Sequence, residues 1–263
     1  MSDFYIAVAL SLGAAFVFAI GAQLSRLGLR TTDPQTGAMV SIGSATVLYW
    51  AVAPWYLEAH FWQSSAVWLF ALVGLFRPAI SSTCAMAGTA ILGPTISTTL
   101  SATAPLFGLI FGVALLGEAL SAPVFAGTVG IVFGVAILAR QGGDKKEFNW
   151  PLWALGLPIL AALIRVCAHL LTKIGMEDLP SPYFAGLIAY NASMAMALGN
   201  LLRRRQNPIK VLKAPGAPWF MATGVLFGIA VLGVNIALRF GPLSVVAPLV
   251  SLEAIFVLFL GIT

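Results

Sequence analysis

Charge is scarce in this chain of 263 residues, since only 9% of them are Asp, Glu, Lys or Arg. A soluble domain carries roughly 25% charged residues, so this chain cannot cover a surface that faces water. Hydrophobic residues make up 60% of the sequence. These proportions predict an integral membrane protein, with the lipid bilayer as its surroundings.

Residues that carry enzyme chemistry are also scarce, with two cysteines and two histidines in the whole chain. Cys84 and Cys167 both lie in apolar runs, which argues against a disulfide framework or a cysteine-rich metal site. The sequence contains no HExxH, GxSxG or P-loop motif, and it has no acidic cluster that could hold a metal. We therefore predict no catalytic residue, no metal and no cofactor.

Nine runs are apolar and long enough to span a membrane, which takes about 20 residues. They are residues 4–24, 37–56, 66–90, 94–116, 122–140, 150–172, 183–202, 217–238 and 242–263. Spanning strands are excluded, because the runs are too long and lack the alternation of a barrel strand. The sequence predicts an all-α integral membrane protein.

The chain also repeats itself. Aligning Gly93-Pro94 on Gly241-Pro242 gives an offset of 148 residues, and the helices before each pair match in length. Each unit has five helices, so the second should enter the membrane upside down, as in many secondary transporters. We predict a first repeat at 1–140, a basic linker at 141–149, and a second repeat at 150–263 that stops after its fourth helix. A protein with nine helices by design is the alternative.

Several stretches together resemble a known family. They are AILGPTISTTLSATAPLF from Ala90, LLGEALS from Leu115, and the weaker matches NIALRFGPLS from Asn235 and SLEAIF from Ser251. The chain resembles the EamA-type transporters of the drug/metabolite transporter superfamily. The resemblance implies ten helices in two inverted halves of five around a central cavity, so that the tenth helix is missing from this chain. It also implies export or exchange of small metabolites without a cofactor.

Lys and Arg are distributed unevenly between the predicted loops. Loops 1–2, 5–6 and 7–8 carry ten of them: Arg26, Arg30, Arg140, Lys145, Lys146, Arg203, Arg204, Arg205, Lys210 and Lys213. The other side holds only Lys173 and Arg239. Because an excess of Lys and Arg marks the cytoplasmic side, we predict that these three loops are cytoplasmic in a plasma (bacterial inner) membrane. The basic residues indicate anionic lipid rather than nucleic acid as the partner.

Four ionisable side chains lie inside apolar runs, where a charge is costly and often functional. Arg77 and Glu253 should lie roughly 15 to 17 Å deep, near the middle of the bilayer. We predict that both line the substrate cavity, with Glu253 either taking up a proton or neutralising an arginine; a structural ion pair is the alternative. Arg165 and His169 are secondary candidates, for which snorkelling or a hydrogen-bonded core histidine is the alternative.

The fourth apolar run places Ser97, Ser101 and Pro105 on one stripe of small residues. A proline removes a helix hydrogen bond and frees a carbonyl that can face a wet cavity. Ser251 and Asn235 are further cavity candidates, and Asn191 is a secondary one. Close helix packing explains small stripes equally well, and the asparagines could simply bond a neighbouring helix.

These features predict a secondary transporter, exporting or exchanging small organic metabolites such as amino acids, by alternating access around a central cavity. One alternative is a membrane scaffold without transport activity, or an inactive truncated fragment. Another is a membrane-embedded enzyme, which would need a reactive cluster that the sequence does not show. A homodimer remains open.

Overall fold

The computed structural model describes residues 2–77, 79–92, 94–141, 151–203 and 211–261. These residues form helices and no strands. The helices are α1 (Ser2–Leu29), α2 (Pro34–Tyr56), α3 (Ala66–Phe76), α4 (Ala79–Leu92), α5 (Pro94–Ser101), α6 (Ala104–Leu116), α7 (Ala122–Gln141), α8 (Gly156–Asp178), α9 (Pro182–Arg203), α10 (Ala217–Phe240), α11 (Leu243–Ser251) and α12 (Glu253–Gly261). Short 3₁₀ turns occupy Ala59–Gln63 and Leu152–Leu155.

Six described segments are long and apolar enough to cross a membrane by length and composition. They are Asp3–Leu29, Pro34–Tyr56, Thr99–Leu116, Leu152–Asp178, Pro182–Arg203 and Ala217–Phe240. All nine predicted runs are helical where the structure describes them, but the runs 66–90, 94–116 and 242–263 are each divided into two shorter helices, and six described segments are long enough to count as spans. The predicted linker at 141–149 lies outside the described residues from position 142 onward.

Local signals set the helix ends. Asp33 caps α2 by accepting the backbone N–H groups of Gln35 and Thr36 at 3.1 and 3.0 Å, and Pro34 occupies the first turn, where no N–H is needed. At its C-terminal end, α6 is capped by Gly117, whose φ of 64° is left-handed and suits glycine. Both signals are legible in the sequence.

The helices pack in pairs that match between the two halves of the chain. α1 lies along α10, as α8 lies along α3 and α4. α2 packs against α10, as α9 packs against α3. In addition, α2 packs against α9, and α6 packs against α11. Each half therefore places its first and second helices against the third apolar run of the other half.

Two polar side chains extend this correspondence to the helix ends. Thr32, just after α1, accepts the backbone N–H of Gly216 at 2.9 Å, where α10 begins. Asp178, at the end of α8, accepts the backbone N–H of Ala66 at 3.3 Å, where α3 begins. In both cases a residue at the end of the first helix of one half caps the third run of the other half.

The outer surface carries large apolar side chains that a soluble protein would bury. Trp55, Trp68, Leu152 and Phe259 expose 70% or more of their surface. The buried core is rich in alanine and in aromatic rings such as Phe70 and Phe184. This distribution fits a protein whose outer face contacts lipid.

Candidate functional site

The chain breaks out of helical geometry at Arg77, between α3 and α4. Arg77 has φ −127° and ψ 130°, an extended conformation. Its neighbour in the sequence is Pro78, and a residue that precedes proline avoids the helical region. The predicted single span therefore becomes two half-helices, with Arg77 at the break instead of inside a helix. Broken helices at membrane depth are common where transporters bind their substrates.

Ser193 of α9 satisfies the backbone oxygens at this break. Its hydroxyl is shared between the carbonyls of Gly74 at 2.8 Å and of Arg77 at 2.9 Å. The close approach depends on Gly74, because a Cβ there would collide with Ala189 and Ala192 of α9. Hydrogen bonds from Ser193 therefore stabilise the break and hold the backbone of Arg77 in place.

The Arg77 side chain contacts two other helices. Its Nη1 lies 3.3 Å from Nε2 of His169 on α8, and the guanidinium lies 5.9 Å from the ring centre of Phe18 on α1. A guanidinium can only donate hydrogen bonds, so Nε2 of His169 must be the acceptor. His169 is therefore neutral in this arrangement and carries its proton on Nδ1. It is also almost fully buried, with 4% of its surface exposed.

Four more polar groups act on Arg77. Its charge interacts electrostatically with Tyr190, Arg165, Glu253 and Tyr49. We call Arg77, Arg165, His169, Tyr190 and Glu253 the central cluster. It gathers side chains from α8, α9, α12 and the break after α3, so the structure brings together four residues that the sequence singled out separately.

Glu253 lies beside the break between α11 and α12. α11 ends at Ser251, and Glu253 is the first residue of α12, where the helix N-terminus favours a negative charge. Its carboxylate interacts electrostatically with Arg165 and Arg77. Within the part of the chain that the structure describes, neither arginine forms a direct ion pair with it. These groups therefore retain hydrogen-bonding capacity that a ligand can use.

Tyrosine rings form one wall beside the central cluster, a feature that the sequence did not reveal. The hydroxyl of Tyr49 donates to the carbonyl of Gly228 at 3.2 Å, and Tyr183 donates to the carbonyl of Tyr49 at 2.5 Å. The rings of Tyr49 and Tyr190 lie 5.3 Å apart. Anchored rings of this kind give an apolar, rigid surface next to the charges.

The polar residues of the fourth run lie on α5 and α6. Ser97 is buried in α5, Ser101 is half-buried at its end, and Pro105 is buried in the first turn of α6. A break at Ala102 and Thr103 separates the two helices, since proline at the start of α6 cannot continue the hydrogen bonds of α5. Both helices pack against α8, which carries Arg165 and His169. Their role in the pathway stays a prediction.

The other polar candidates bond to backbone or to a neighbouring helix. Asn235 donates to the carbonyl of Pro182 at 3.1 Å, and Ser251 donates to the carbonyl of Ala247 at 2.9 Å. Asn191 donates to its own helix and accepts the indole N–H of Trp50 at 3.1 Å. These bonds join helices or turns.

Glu118, from the LLGEALS stretch, holds together one end of the molecule. Its Oε1 accepts from Nζ of Lys173 at 2.9 Å and from the backbone N–H of Leu243 at 2.6 Å, and its Oε2 accepts from the N–H of Ser244 at 2.8 Å. Lys173 also donates to the carbonyl of Gly241 at 2.8 Å. We call this set the Glu118 clasp; it joins the loop after α6 to α8 and to the start of α11.

The electrostatics of the clasp favour the ionised carboxylate. Burial opposes ionisation of Glu118, but the hydrogen bonds from Lys173, Ser244 and Leu243 outweigh it and hold the pKa of this carboxyl below its usual range. The carboxylate also lies at the positive end of α11. Among the described residues, no group of three His, Cys, Asp or Glu side chains could hold a metal ion.

Comparison with known proteins finds a matching family and several solved structures of similar fold. The family model described as "EamA-like transporter family" matches residues 5–140. A solved structure titled "Crystal structure of protein" superposes with a TM-score of 0.76 and 15% sequence identity, covering 97% of this chain and 86% of that one. The search of curated proteins found no match. The structural likeness concerns the fold alone, and the sequence match covers the first half of the chain.

Proposed function

Since the chain belongs to the EamA-like transporter family, we propose that it is a secondary transporter that moves small organic metabolites by alternating access around the central cluster. This proposal is supported by one observation above all. Arg77, Arg165 and Glu253 interact electrostatically, and Arg77 and Glu253 each lie beside a break in a helix. Charged groups at membrane depth mark substrate and ion pathways, and broken helices supply polar backbone there.

An inverted repeat is the arrangement that best accounts for the matched packing. The first and second helices of each half contact the third run of the other half, and the caps from Thr32 and Asp178 follow the same rule. Both fourth runs break in the middle, after Ser101 and after Ser251. Two halves of this kind can rock about a central site and open it to each side in turn.

The charge arrangement favours a zwitterionic substrate of the amino-acid class. Two guanidinium groups suit a carboxylate, which arginine binds through two parallel hydrogen bonds. The Glu253 carboxylate suits an ammonium group. The nearby rings of Phe18 and Tyr190 suit an apolar side chain. A substrate that carries both charges would complete the interactions that these residues do not make with one another.

A panel of matched compounds tests the substrate class. Leucine, methionine and phenylalanine are each compared with the amide, which lacks the carboxylate, and with the N-acetyl derivative, which lacks the ammonium group. We expect at least one amino acid to raise the melting temperature of the purified protein, since a ligand at 100 times its Kd stabilises by about 2.7 kcal/mol. Both derivatives should give a smaller rise. Equal rises with all three forms of each amino acid would contradict the zwitterion assignment.

The orientation of the chain is proposed from its basic loops. α9 ends at Arg203, and the basic residues that follow it, Arg204, Arg205 and Lys210, lie outside the described residues. Excess Lys and Arg predicts that this loop is cytoplasmic in the plasma membrane. A cysteine introduced at Gln206, in a background without Cys84 and Cys167, should react with a membrane-impermeant maleimide only after the cells are opened. Labelling in intact cells would reverse the orientation.

A further inference from the structure

We infer that His169 is a proton-binding site of the transport cycle, which takes up a proton when a substrate carboxylate replaces it as the partner of Arg77. This inference rests on the proposed function, and it adds that substrate binding is coupled to proton binding. Its basis is the contact of 3.3 Å between Nη1 of Arg77 and Nε2 of His169. Because arginine only donates, the two side chains can keep this bond only while Nε2 has no proton.

A proton on Nε2 would convert the contact into repulsion between two cations. Protonation of His169 is costly in the ligand-free protein, because two arginines act on its ring. Arg165 lies one helical turn before His169 on α8 and also acts on it electrostatically. In the cluster, Glu253 is the acidic counter-charge, and it already faces both arginines. A protonated His169 would therefore be a third positive charge beside one carboxylate.

The other elements that pack on α8 supply no further counter-charge near His169. α3, α5, α6, α11 and the 3₁₀ turn Leu152–Leu155 contain no ionisable residue, and α4 contains only Cys84. α10 contains only Arg239 near its end, and α9 contains two tyrosines and, at its end, Arg203. Glu118 is paired with Lys173, one turn further along α8. The tyrosines facing the cluster, Tyr49 and Tyr190, are neutral at physiological pH. Among the residues that the structure describes, none supplies the missing negative charge near His169, whereas a ligand carboxylate can.

A bound carboxylate changes both the hydrogen bonding of Arg77 and the charge around His169. It accepts hydrogen bonds from Arg77, which releases Nε2 of His169, and its charge lies next to the proton that Nε2 then binds, while the ammonium group of the substrate is paired with Glu253. Substrate binding and proton binding thus favour one another, and the coupling must be reciprocal. Where one proton is taken up with each carboxylate, the affinity for the substrate falls about tenfold per unit rise in pH.

The chain offers a matched pair of variants, because His60 is the only other histidine. His169→Gln keeps an oxygen acceptor near the position of Nε2 but cannot titrate. We expect it to bind phenylalanine, leucine or methionine with the same Kd at every pH between 6 and 8. His60→Gln, at an exposed position with 64% of the side chain accessible, should keep the tenfold dependence of the unmodified protein. An unchanged pH dependence in the folded His169→Gln variant would overturn the inference.

A second measurement reads the proton directly and does not require transport. In the His60→Gln background, ¹⁵N-labelled histidine reports on His169 alone. The ligand-free protein at pH 7 should show the neutral form with the proton on Nδ1. Adding phenylalanine, leucine, methionine or concentrated acetate should convert the signal to the doubly protonated form, whereas phenylalaninamide should not. A cationic ligand-free His169, or a signal that no carboxylate changes, would overturn the inference. These results test only the protonation of His169, whereas the proposed transport function is tested separately by exchange assays.

Discussion

Arg77→Gln is expected to reduce the preference for an amino acid over its amide strongly, leaving only the contribution of Arg165. The guanidinium would no longer bind the carboxylate, and removing one partner of a buried, hydrogen-bonded charge pair costs about 2 to 5 kcal/mol. The Kd of the amino acid should therefore rise by at least roughly thirtyfold. The Kd of the amide should change less, because a neutral amide oxygen accepts only a weaker hydrogen bond from the guanidinium than a carboxylate does. Titration calorimetry with phenylalanine and phenylalaninamide measures both values.

Glu253→Gln supplies the complementary variant. Here the N-acetyl derivative should become as good a ligand as the amino acid, since the ammonium group has lost its partner. Arg239→Gln, at an exposed position near the end of α10, should bind all compounds like the unmodified protein. Should Glu253→Gln instead unfold at much lower temperature, and Arg165→Gln in addition restore its stability, Glu253 would be a structural partner of Arg165. That result would contradict its assignment to the substrate.

Glu118→Gln is expected to destabilise the protein strongly. Lys173 would keep its charge in a place where only 19% of its side chain is exposed. Breaking a fully buried pair on one side costs about 3 to 5 kcal/mol, and this part-buried pair should lose a fraction of that. The two backbone N–H groups at the start of α11 would also lose a charged acceptor. The melting temperature in detergent should therefore fall at pH 7, and Lys173→Met in the same chain should recover part of the loss.

The pH dependence gives this prediction a second readout. The pKa of Glu118 is lower in the folded chain than its usual value, so the clasp stabilises the fold above the usual pKa of a glutamate. That contribution is lost as the pH falls through the lower, folded pKa. Glu118→Gln should lack this acid-side loss. Glu177→Gln, an exposed acid near the end of α8, should melt like the unmodified protein; equal melting of both variants would show that the clasp contributes nothing.

The sequence predicted the all-helical chain, because long apolar runs depend on local composition, and it singled out Arg77 and Glu253, whose role in the cavity stays a prediction. Arg77 and Glu253 stand out from apolar runs, and depth along a helix follows from counting residues. The breaks were missed, although Pro78 directly follows Arg77, because hydrophobicity continues across them. The extended backbone at Arg77 also needs Ser193, which is more than a hundred residues away.

Contacts between distant segments explain the remaining misses. Tyr49 and Tyr190 look like ordinary apolar residues until α2 and α9 pack beside Arg77. Glu118 marked only a family resemblance, because its partners Lys173 and Leu243 lie 55 and 125 residues away. From the sequence, His169 could be either a core histidine or a contact for the substrate. In the structure it is buried and bonds Arg77, the residue proposed to bind the substrate.

Exchange across a membrane tests the central claim most directly. Liposomes containing the purified protein are loaded with unlabelled phenylalanine, leucine or methionine and diluted into a trace of the same labelled amino acid. Alternating access predicts that the label accumulates transiently above equilibrium for at least one amino acid, and that the Arg77→Gln protein fails to accumulate it. Accumulation no greater than in liposomes without protein, for every amino acid in the panel, would contradict the account.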